Sequence, residues 1–357
     1  RDHGGVAFID LFDRWGLTQV VFDPGEAPEA HEVAHTLRSQ YVIAITGVVR
    51  KRPEGTKNPN ITTGDIEVYV RDFELLNTSL TPPFDIQHVS QVNAETRLKY
   101  RYLELRNRDL QRSMIFRSRV TNLIRKYLTD LEFVEIETPV LTASTPEGAR
   151  DFLVPSRINQ GKFYALPQSP QLFKQLLMVS GFDRYFQIAH CFRDEDARGD
   201  RQPEHTQIDM EMSFVSKEDV FDVIEGMLAH VFKQSLNVDL ETPFIRLSYH
   251  EAMNKYGSDK PDLRYDLEMQ DFGEIAAKSG FNAFKSVVES GGTVKALVAP
   301  GCASYSRKQI DQLEKDAKIY GAKGLAWMKV GDEGLDGGVA KFFSEQADEI
   351  ISSLGAK

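Results

Sequence analysis

Two short polar segments carry residue types that could bind a small charged molecule. In one predicted strand, Gln207, Asp209 and Glu211 alternate with apolar residues, so their side chains project from one face. In a predicted helix, Gln171 and Lys174 are three residues apart, which brings an amide and an ammonium group to the same face. A half-solvated hairpin and an exposed helix face explain these two patterns equally well when each is taken alone.

A third segment, residues 145–152, places the carboxylate of Glu147 beside Gly148 in a predicted turn. An ordinary solvated loop is the simpler interpretation of this turn. The sequence contains neither a Ser-His-Asp constellation nor a GxxxxGK[ST] loop, which disfavours hydrolases and P-loop enzymes. Cys191 and Cys302 are far apart and form no CxxC pattern, so we expect reduced, structural cysteines and neither zinc nor an organic cofactor.

The elements that must position these residues are predicted from periodicity. Asp109–Leu131 has helical spacing and leads into an alternating strand that Pro139 closes. The polar strand is predicted over Thr206–Phe214, as the return strand of a hairpin that begins with Tyr185–Arg193. The helix that carries Lys174 is predicted to begin with Ser169 as its N-cap and Pro170 at its first position. Near the N-terminus, β-branched and aromatic residues predict strands at 6–11, 17–22, 41–49 and 66–75, with a helix at 27–39.

Composition and charge limit the class of protein. The chain has 357 residues, of which 41% are apolar and 27% charged, and this length suggests two or three domains. No run of about 18 apolar residues or signal segment is present, so we expect a cytoplasmic protein without a membrane partner. The net charge of -10 argues against a nucleic-acid partner, but ten Lys and Arg residues and only two acids lie between Arg97 and Lys126. A second basic cluster is Arg50–Arg52. A solvated helix face is the simpler interpretation of such runs.

Several segments together resemble one enzyme family. The runs 191–196 (CFRDED) and 201–207 (RQPEHTQ) are similar to motif 2 of class II aminoacyl-tRNA synthetases, and 133–139 with the helix before it is similar to motif 1. The strings TPEGARDF (145–152) and QSPQLFKQ (168–175) resemble the bacterial type of aspartyl-tRNA synthetase. The resemblance covers essentially the whole chain and includes a GAD-like insert, which separates the bacterial type from asparaginyl- and lysyl-tRNA synthetases.

The resemblance implies a reaction and a set of roles. The family activates L-aspartate with ATP and Mg²⁺ to aspartyl-adenylate and transfers it to tRNA(Asp), in some members also to tRNA(Asn). Arg193 matches the catalytic arginine of the family. A fixed guanidinium at that position can contact both the phosphate of ATP and the attacking carboxylate. The resemblance assigns aspartate binding to Glu147, Ser169, Gln171, Lys174, Gln207 and Asp209. It assigns ATP binding to Arg193, Asp194, Glu195 and Gln202. Glu211 is a candidate ligand for Mg²⁺ or for the substrate ammonium group.

Transfer RNA and a second copy of the chain are the other expected partners. By the resemblance, Arg1, Phe8 and Gln19 match anticodon-contacting positions, although core packing is an alternative explanation for Phe8. His3 and Gly55 resemble residues of bacterial members that accept both tRNA(Asp) and tRNA(Asn), although both are also ordinary turn residues. Motif 1 forms the homodimer interface in the family.

We therefore expect an α+β multidomain protein. Its predicted parts are an OB-fold barrel without its first strand (1–77), a linker (78–108), an antiparallel class II catalytic domain without its C-terminal part (109–265) and an inserted α+β GAD domain (266–357). The family's motif 3 is not found, so the chain is expected to be a piece of the enzyme, truncated at both ends and inactive alone. A non-catalytic tRNA-binding fragment and an asparaginyl-tRNA synthetase are the alternatives.

Overall fold

The structure is a computed structural model that describes residues 2–3, 5–265, 267–331 and 334–356. The chain divides into two compact units, with the division between Thr242 and Pro243. The three predicted boundaries between the four predicted domains remain predictions.

The first unit begins with a five-stranded sheet and one helix. These elements are β1 (Asp2–His3), β2 (Val6–Phe12), β3 (Leu17–Phe22), α1 (Pro28–Ala34), β4 (Val42–Lys51) and β5 (Ile66–Asn77). The strand order is β1-β2-β3-β5-β4, and only the β3–β5 pair is parallel. Gly47 is required at an irregularity in β4, since a Cβ atom there would lie 2.4 Å from the carbonyl oxygen of Tyr69. The core of the sheet contains Ala7, Val20, Phe22, Ala30, Ala34 and Val70.

The predicted strands of this region are confirmed to within two residues at each end, but the predicted helix 27–39 is too long. Helix α1 ends at Ala34, after which the amide groups of Thr36 and Leu37 bond three residues back. The Thr36 hydroxyl also donates to the carbonyl oxygen of Val33 at 2.7 Å. Such local side-chain bonds compete with helical pairing and favour a turn.

The basic segment forms a short helical linker and one long helix. A 3₁₀ turn (Ile86–Gln91) precedes α2 (Ala94–Lys99), α3 (Arg101–Glu104) and α4 (Arg108–Asp130). Glu104 is only 3% exposed, and it accepts hydrogen bonds from both Arg97 and Arg101. Further ion pairs of this segment join Arg112 to Asp109, Arg125 to Glu135 and Lys126 to Asp130. Ion pairs therefore oppose part of the charge of the basic run, although those of Arg112, Arg125 and Lys126 are exposed.

A three-stranded sheet with order β10-β9-β6 follows. The elements are β6 (Val134–Glu135), β7 (Leu153–Pro155), β8 (Phe163–Ala165), α5 (Gln171–Val179), β9 (Arg184–Phe192), β10 (Glu204–Met212) and α6 (Lys217–Leu236). One face packs on α4 and α6 through a cluster of Ile124, Leu128, Phe133, Phe186, Met227 and Val231. Because Met210 and Met212 point into that cluster, Asp209 and Glu211 point to the opposite face, where α5 lies.

The predicted hairpin is confirmed, but its second strand ends earlier than predicted. Residue Phe214 lies outside β10, has a φ of 58° and is fully exposed. A left-handed backbone conformation cannot continue a strand, so the ladder ends at Met212. The predicted strand before Pro139 is also shorter, with only Val134 and Glu135 in β6.

The second unit is a small α/β structure. Its elements are α7 (Tyr249–Tyr256), β11 (Met269–Asp271), α8 (Gly273–Lys278), α9 (Asn282–Glu289), β12 (Lys295–Leu297), α10 (Arg307–Ile319), β13 (Lys329–Gly331), β14 (Gly334–Asp336) and α11 (Ala347–Leu354). The strands form two antiparallel pairs, β11–β12 and β13–β14. The core contains Phe272, Ile275, Ala276, Val294, Phe343 and Ile350. Within the described ranges, no helix of either unit is long and apolar enough to cross a membrane.

Candidate functional site

A half-buried lysine, Lys174, lies between two carboxylates where α5 meets β10. The Nζ atom of Lys174 is 3.0 Å from Oδ1 of Asp209 and 3.2 Å from Oε2 of Glu211. Burial alone would lower the pKa of Lys174, but the two carboxylates outweigh burial and raise this pKa. Burial also raises the pKa of Asp209, although Lys174 opposes that effect. The lysine is therefore charged and held in one orientation.

The side chain of Glu147 reaches the start of α5. Its Oε2 atom accepts a hydrogen bond of 2.9 Å from the hydroxyl of Ser169. The prediction of Ser169 as the N-cap was wrong, since α5 begins after Pro170 and has no side-chain cap. The Ser169 hydroxyl is engaged by the carboxylate instead. Gln171 is half-buried in the first turn of α5, one turn before Lys174.

Arg193 lies where β9 runs into the polar loop of the hairpin. Its amide donates to the carbonyl oxygen of Pro203 at 2.8 Å, and its side chain is half-buried. Within the described ranges, its guanidinium has neither a hydrogen bond nor an ion pair. The other predicted ATP-binding residues, Asp194, Glu195 and Gln202, are exposed in the same loop. A half-buried guanidinium without a protein partner is suited to bind an anion.

The thiol of Cys191 is fully buried on β9, two residues before Arg193. Its Sγ atom donates to Oε1 of Gln207 at 3.3 Å. Burial raises the pKa of the thiol to about 11, with a smaller contribution from Asp209. The charges of Arg193, Glu147 and Lys174 also act on this thiol. With a pKa this high, the thiol is protonated at neutral pH and is not a nucleophile.

The N-terminal sheet has a second candidate site, on the face opposite its core. Phe8 and Gln19 line a cavity of about 340 Å³ there. Since Ala7 and Ile9 point into the core, Phe8 points away from it, and core packing does not explain this residue. The cavity is also lined by Asp10, Arg52, Thr56, Glu67 and Tyr69.

Arg52 and Glu67 supply buried charge to this second cavity. They are 8% and 3% exposed, and Nε of Arg52 donates to the carbonyl oxygen of Ile66 at 3.0 Å. The Nη2 atom of Arg52 is buried without a hydrogen bond to any described residue. Arg50, by contrast, stacks 4.2 Å over Tyr69 and forms an ion pair with Glu26.

Comparison with known families decides the class of protein. A family model described as tRNA synthetases class II (D, K and N) matches residues 93–345, and an OB-fold nucleic acid binding domain matches residues 1–76. The chain belongs to the class II tRNA synthetases of the D, K and N group. Its fold is an OB-fold domain followed by a class II catalytic domain, as predicted.

The chain is also similar in sequence or fold to individual synthetases of this family. The chain is 56% identical, over its whole length and 60% of the relative, to an aspartate–tRNA(Asp/Asn) ligase of Thermodesulfovibrio yellowstonii. It is 54% identical, over its whole length and 61% of the relative, to an aspartate–tRNA ligase of Macrococcus caseolyticus. The chain thus spans about 60% of the length of these relatives. A solved asparaginyl-tRNA synthetase from Pyrococcus horikoshii shares the fold, with a TM-score of 0.63, 23% identity and coverage of 74% of this chain and 64% of that one.

The synthetase chain offers a poor site for a metal ion held by protein groups alone. Among the described residues, no three His, Cys, Asp or Glu side chains are close enough to hold one. The carboxylate of Glu211, the candidate ligand, is paired with Lys174. Glu211 is a partner of the lysine in this structure, and its role as a ligand of Mg²⁺ remains a prediction.

The sequence predictions for tRNA recognition are only partly described by the structure. Arg1 and the side chain of His3 lie outside the described residues. Gly55 has a φ of 81° in an exposed turn, and that conformation alone favours glycine. Its role in tRNA specificity remains a prediction. Sequence reasoning missed Arg52 and Glu67 as site residues, although the basic cluster 50–52 and the alternation of β5 were visible signals.

Proposed function

We propose that the whole protein is an aspartate–tRNA ligase. The observation that carries this proposal is the set of charged side chains at the hairpin and the start of α5, in which Lys174 and Arg193 are cations and Glu147 and Asp209 are anions. Aspartate has two carboxylates and one ammonium group. Two cations and the Glu147 carboxylate complement those three charges, with Asp209 reserved for orienting Lys174.

The proposed reaction begins with attack of the α-carboxylate of aspartate on the α-phosphorus of ATP. A carboxylate–phosphorus bond forms, the bond to the pyrophosphate oxygen breaks, and aspartyl-adenylate and pyrophosphate result. The guanidinium of Arg193 bridges the two anions and stabilises the charge that develops on the phosphate. Asp194, Glu195 and Gln202 lie in the same loop and bind ATP, which brings Mg²⁺ on its phosphates as part of the substrate.

Selection of aspartate is proposed to depend on the groups around Lys174. Its ammonium takes the side-chain carboxylate of the substrate, and Glu147 takes the substrate ammonium in exchange for the Ser169 hydroxyl. The amides of Gln171 and Gln207 complete the contacts. Glu211 helps to hold the side chain of Lys174 in one rotamer, so the lysine is already oriented when the substrate binds.

Binding of the tRNA anticodon is proposed to use the cavity of the N-terminal sheet. OB-folds bind single strands by stacking bases on aromatic side chains beside polar groups, and Phe8, Gln19 and the buried Arg52 and Glu67 supply such a surface. The proposed RNAs are tRNA(Asp) and, by the name of the Thermodesulfovibrio relative, tRNA(Asn). The proposed compartment is the cytoplasm, where aminoacyl-tRNA is used.

A homodimer through α4 and β6 is the proposed assembly. Three consecutive apolar residues of α4, Met114, Ile115 and Phe116, are between 42% and 68% exposed. A helix of a soluble unit rarely exposes such a run unless another surface covers it. Sedimentation of the whole protein, with Ile115→Lys as the disrupting variant, tests this assembly.

Aspartate-dependent exchange of pyrophosphate into ATP tests the function. The whole protein is expected to catalyse exchange with aspartate, and to do so at least about 100-fold less well with asparagine or glutamate, since a site built for one charge pattern leaves groups unpaired with the others. Exchange that depends on asparagine instead would favour the asparaginyl alternative. Absence of exchange with any amino acid, together with retained tRNA binding, would favour a non-catalytic role.

A further inference from the structure

Gln168 immediately precedes Ser169, the residue that donates to Glu147, and its side chain is buried. It forms hydrogen bonds to the loop that carries Glu147. Its side-chain oxygen accepts from the amide of Ala149 at 2.9 Å, and its Nε2 donates to the carbonyl oxygen of the same residue at 2.8 Å. The Nε2 atom also donates to Oδ1 of Asp151 at 2.5 Å. The residue is 2% exposed, and every polar atom of its side chain is satisfied.

This arrangement replaces a missing piece of backbone ladder. Strands β7 and β8 pair in antiparallel register, and the amide of Leu166 continues the ladder by donating to Phe152 at 2.9 Å. The next residue, Pro167, has no amide hydrogen to donate, and its carbonyl oxygen accepts from Phe192 instead. The side-chain amide of Gln168 has one donor edge and one acceptor edge, as a peptide group has. It therefore pairs with Ala149 as another strand residue would.

The loop is tied on its other side as well. Oδ2 of Asp151 accepts from the Ser144 hydroxyl at 2.6 Å and from the amide of Thr145 at 3.3 Å, so the last residue of the loop holds the first. The hydroxyl of Ser144 and the amide of Gln168 lower the pKa of Asp151, which keeps it an anion. Only the short tip with Glu147 and Gly148 lies between these ties.

Resting on the proposed function, we infer that Gln168 is a positioning residue for aspartate binding, which acts by clamping Ala149 and so holding Glu147 at the substrate ammonium. Without the clamp, the tip samples more conformations, and the competent one is populated for a smaller fraction of time. The apparent affinity falls by that fraction. Only a side chain with both a donor and an acceptor can make the pair, so neither glutamate nor methionine can substitute.

The test uses Gln168→Met, which keeps length and apolar volume, and Gln168→Glu, which keeps the acceptor but cannot donate to Ala149. Each is expected to raise the aspartate KM by about tenfold, since methionine loses all three hydrogen bonds of the side chain and glutamate loses the two that Nε2 donates, with the ATP KM changed less than about twofold. In a Glu147→Ala background, Gln168→Met should add less than about twofold, because the clamp then has nothing to position. A full multiplicative effect in the double variant overturns the inference.

A second measurement reports on the clamp without any activity. Arg150 is exposed beside the clamped residue, and trypsin should cut after it at least about tenfold faster in both Gln168 variants, as the loop opens more often. Gln187→Met is the matched control, since Gln187 contacts Thr138 and Tyr185 and does not touch the loop. Unchanged cleavage at Arg150 in the Gln168 variants overturns the clamp. If the parent protein lacks aspartate-dependent exchange, the proposed function fails and cleavage alone decides on the clamp.

Discussion

At the catalytic hairpin, Lys174 is held by two carboxylates within 3.2 Å, whereas on the N-terminal sheet Arg52 is buried with one nitrogen that no described residue satisfies. The first arrangement fixes a cation before the ligand arrives. Each region also has one buried polar atom without a hydrogen bond to a described residue, Oδ2 of Asp209 at the hairpin and Nη2 of Arg52 on the sheet. On the proposed function, the hairpin thus holds its cation in place before a small substrate binds, while the sheet keeps a cationic donor that RNA can pair with.

The largest effect is expected for a variant of Arg193, which should change adenylation at the hairpin but not tRNA binding at the N-terminal sheet. Arg193→Ala should lower the rate of aspartate-dependent exchange by about 100- to 1000-fold, because one fixed donor at a developing charge is lost. Its effect on tRNA affinity should stay within about twofold. Arg198→Ala is the control, since this arginine is exposed in the same loop. A comparable loss of exchange in the Arg198 variant would mean that general loop charge, and not the Arg193 position, drives adenylation.

Removing the fixed cation should harm substrate selection next. Lys174→Met should raise the aspartate KM by about 100-fold, since the substrate carboxylate then meets Asp209 and Glu211 without compensation. Steady-state exchange at saturating ATP measures this change. An unaltered aspartate KM would remove Lys174 from the substrate site and reduce its role to packing.

The buried thiol of the hairpin gives a pH-dependent probe. Because its pKa is about 11 against an ordinary value of 9.0, Cys191 should carry about 100-fold less thiolate at pH 8 and react correspondingly slowly with iodoacetamide. Its reaction should accelerate as the pH rises toward 11. Cys302, which is partly exposed, is the internal control, followed by mass spectrometry of the two peptides. Equal alkylation rates at pH 8 would show that the site is open to solvent.

On the sheet, Phe8→Ala should weaken tRNA binding by about tenfold, as expected for one lost stacking contact. Exchange without tRNA should be unchanged. Phe8→Tyr keeps the ring and should bind nearly as well as the parent. If Phe8→Ala lowers exchange and tRNA binding equally, the residue supports the fold and the separation of the two regions does not hold.

The smallest expected effect concerns the choice between RNAs. Aspartylation of purified tRNA(Asp) and tRNA(Asn) by the whole protein should differ by less than about tenfold in kcat/KM. A ratio of 100-fold or more, about 2.7 kcal/mol, would mean that this sheet discriminates between them and that His3 and Gly55 do not relax specificity.

Periodicity predicted most of the elements, and family motifs pointed to residues that the structure brings together around Lys174, because both signals depend on residues close together in the sequence. They did not predict the clamp by Gln168, since the pairing of its side-chain amide with Ala149 depends on how the ladder ends beyond β8, where Pro167 has no amide hydrogen to donate. The N-cap at Ser169 was predicted wrongly for a related reason. The Ser169 hydroxyl could bond either to the nearby backbone of α5 or to the distant Glu147. In the structure it donates to Glu147.

The number of basic residues between Arg97 and Lys126 overstates the positive charge that is free to bind a polyanion. Polyanions release condensed counterions only where a cation of the protein is free to replace them. Arg97 and Arg101 share the single negative charge of Glu104, so together they contribute about one charge to that release and not two. Any RNA bound along this segment would therefore be held with a shallower dependence on ionic strength than ten basic residues suggest.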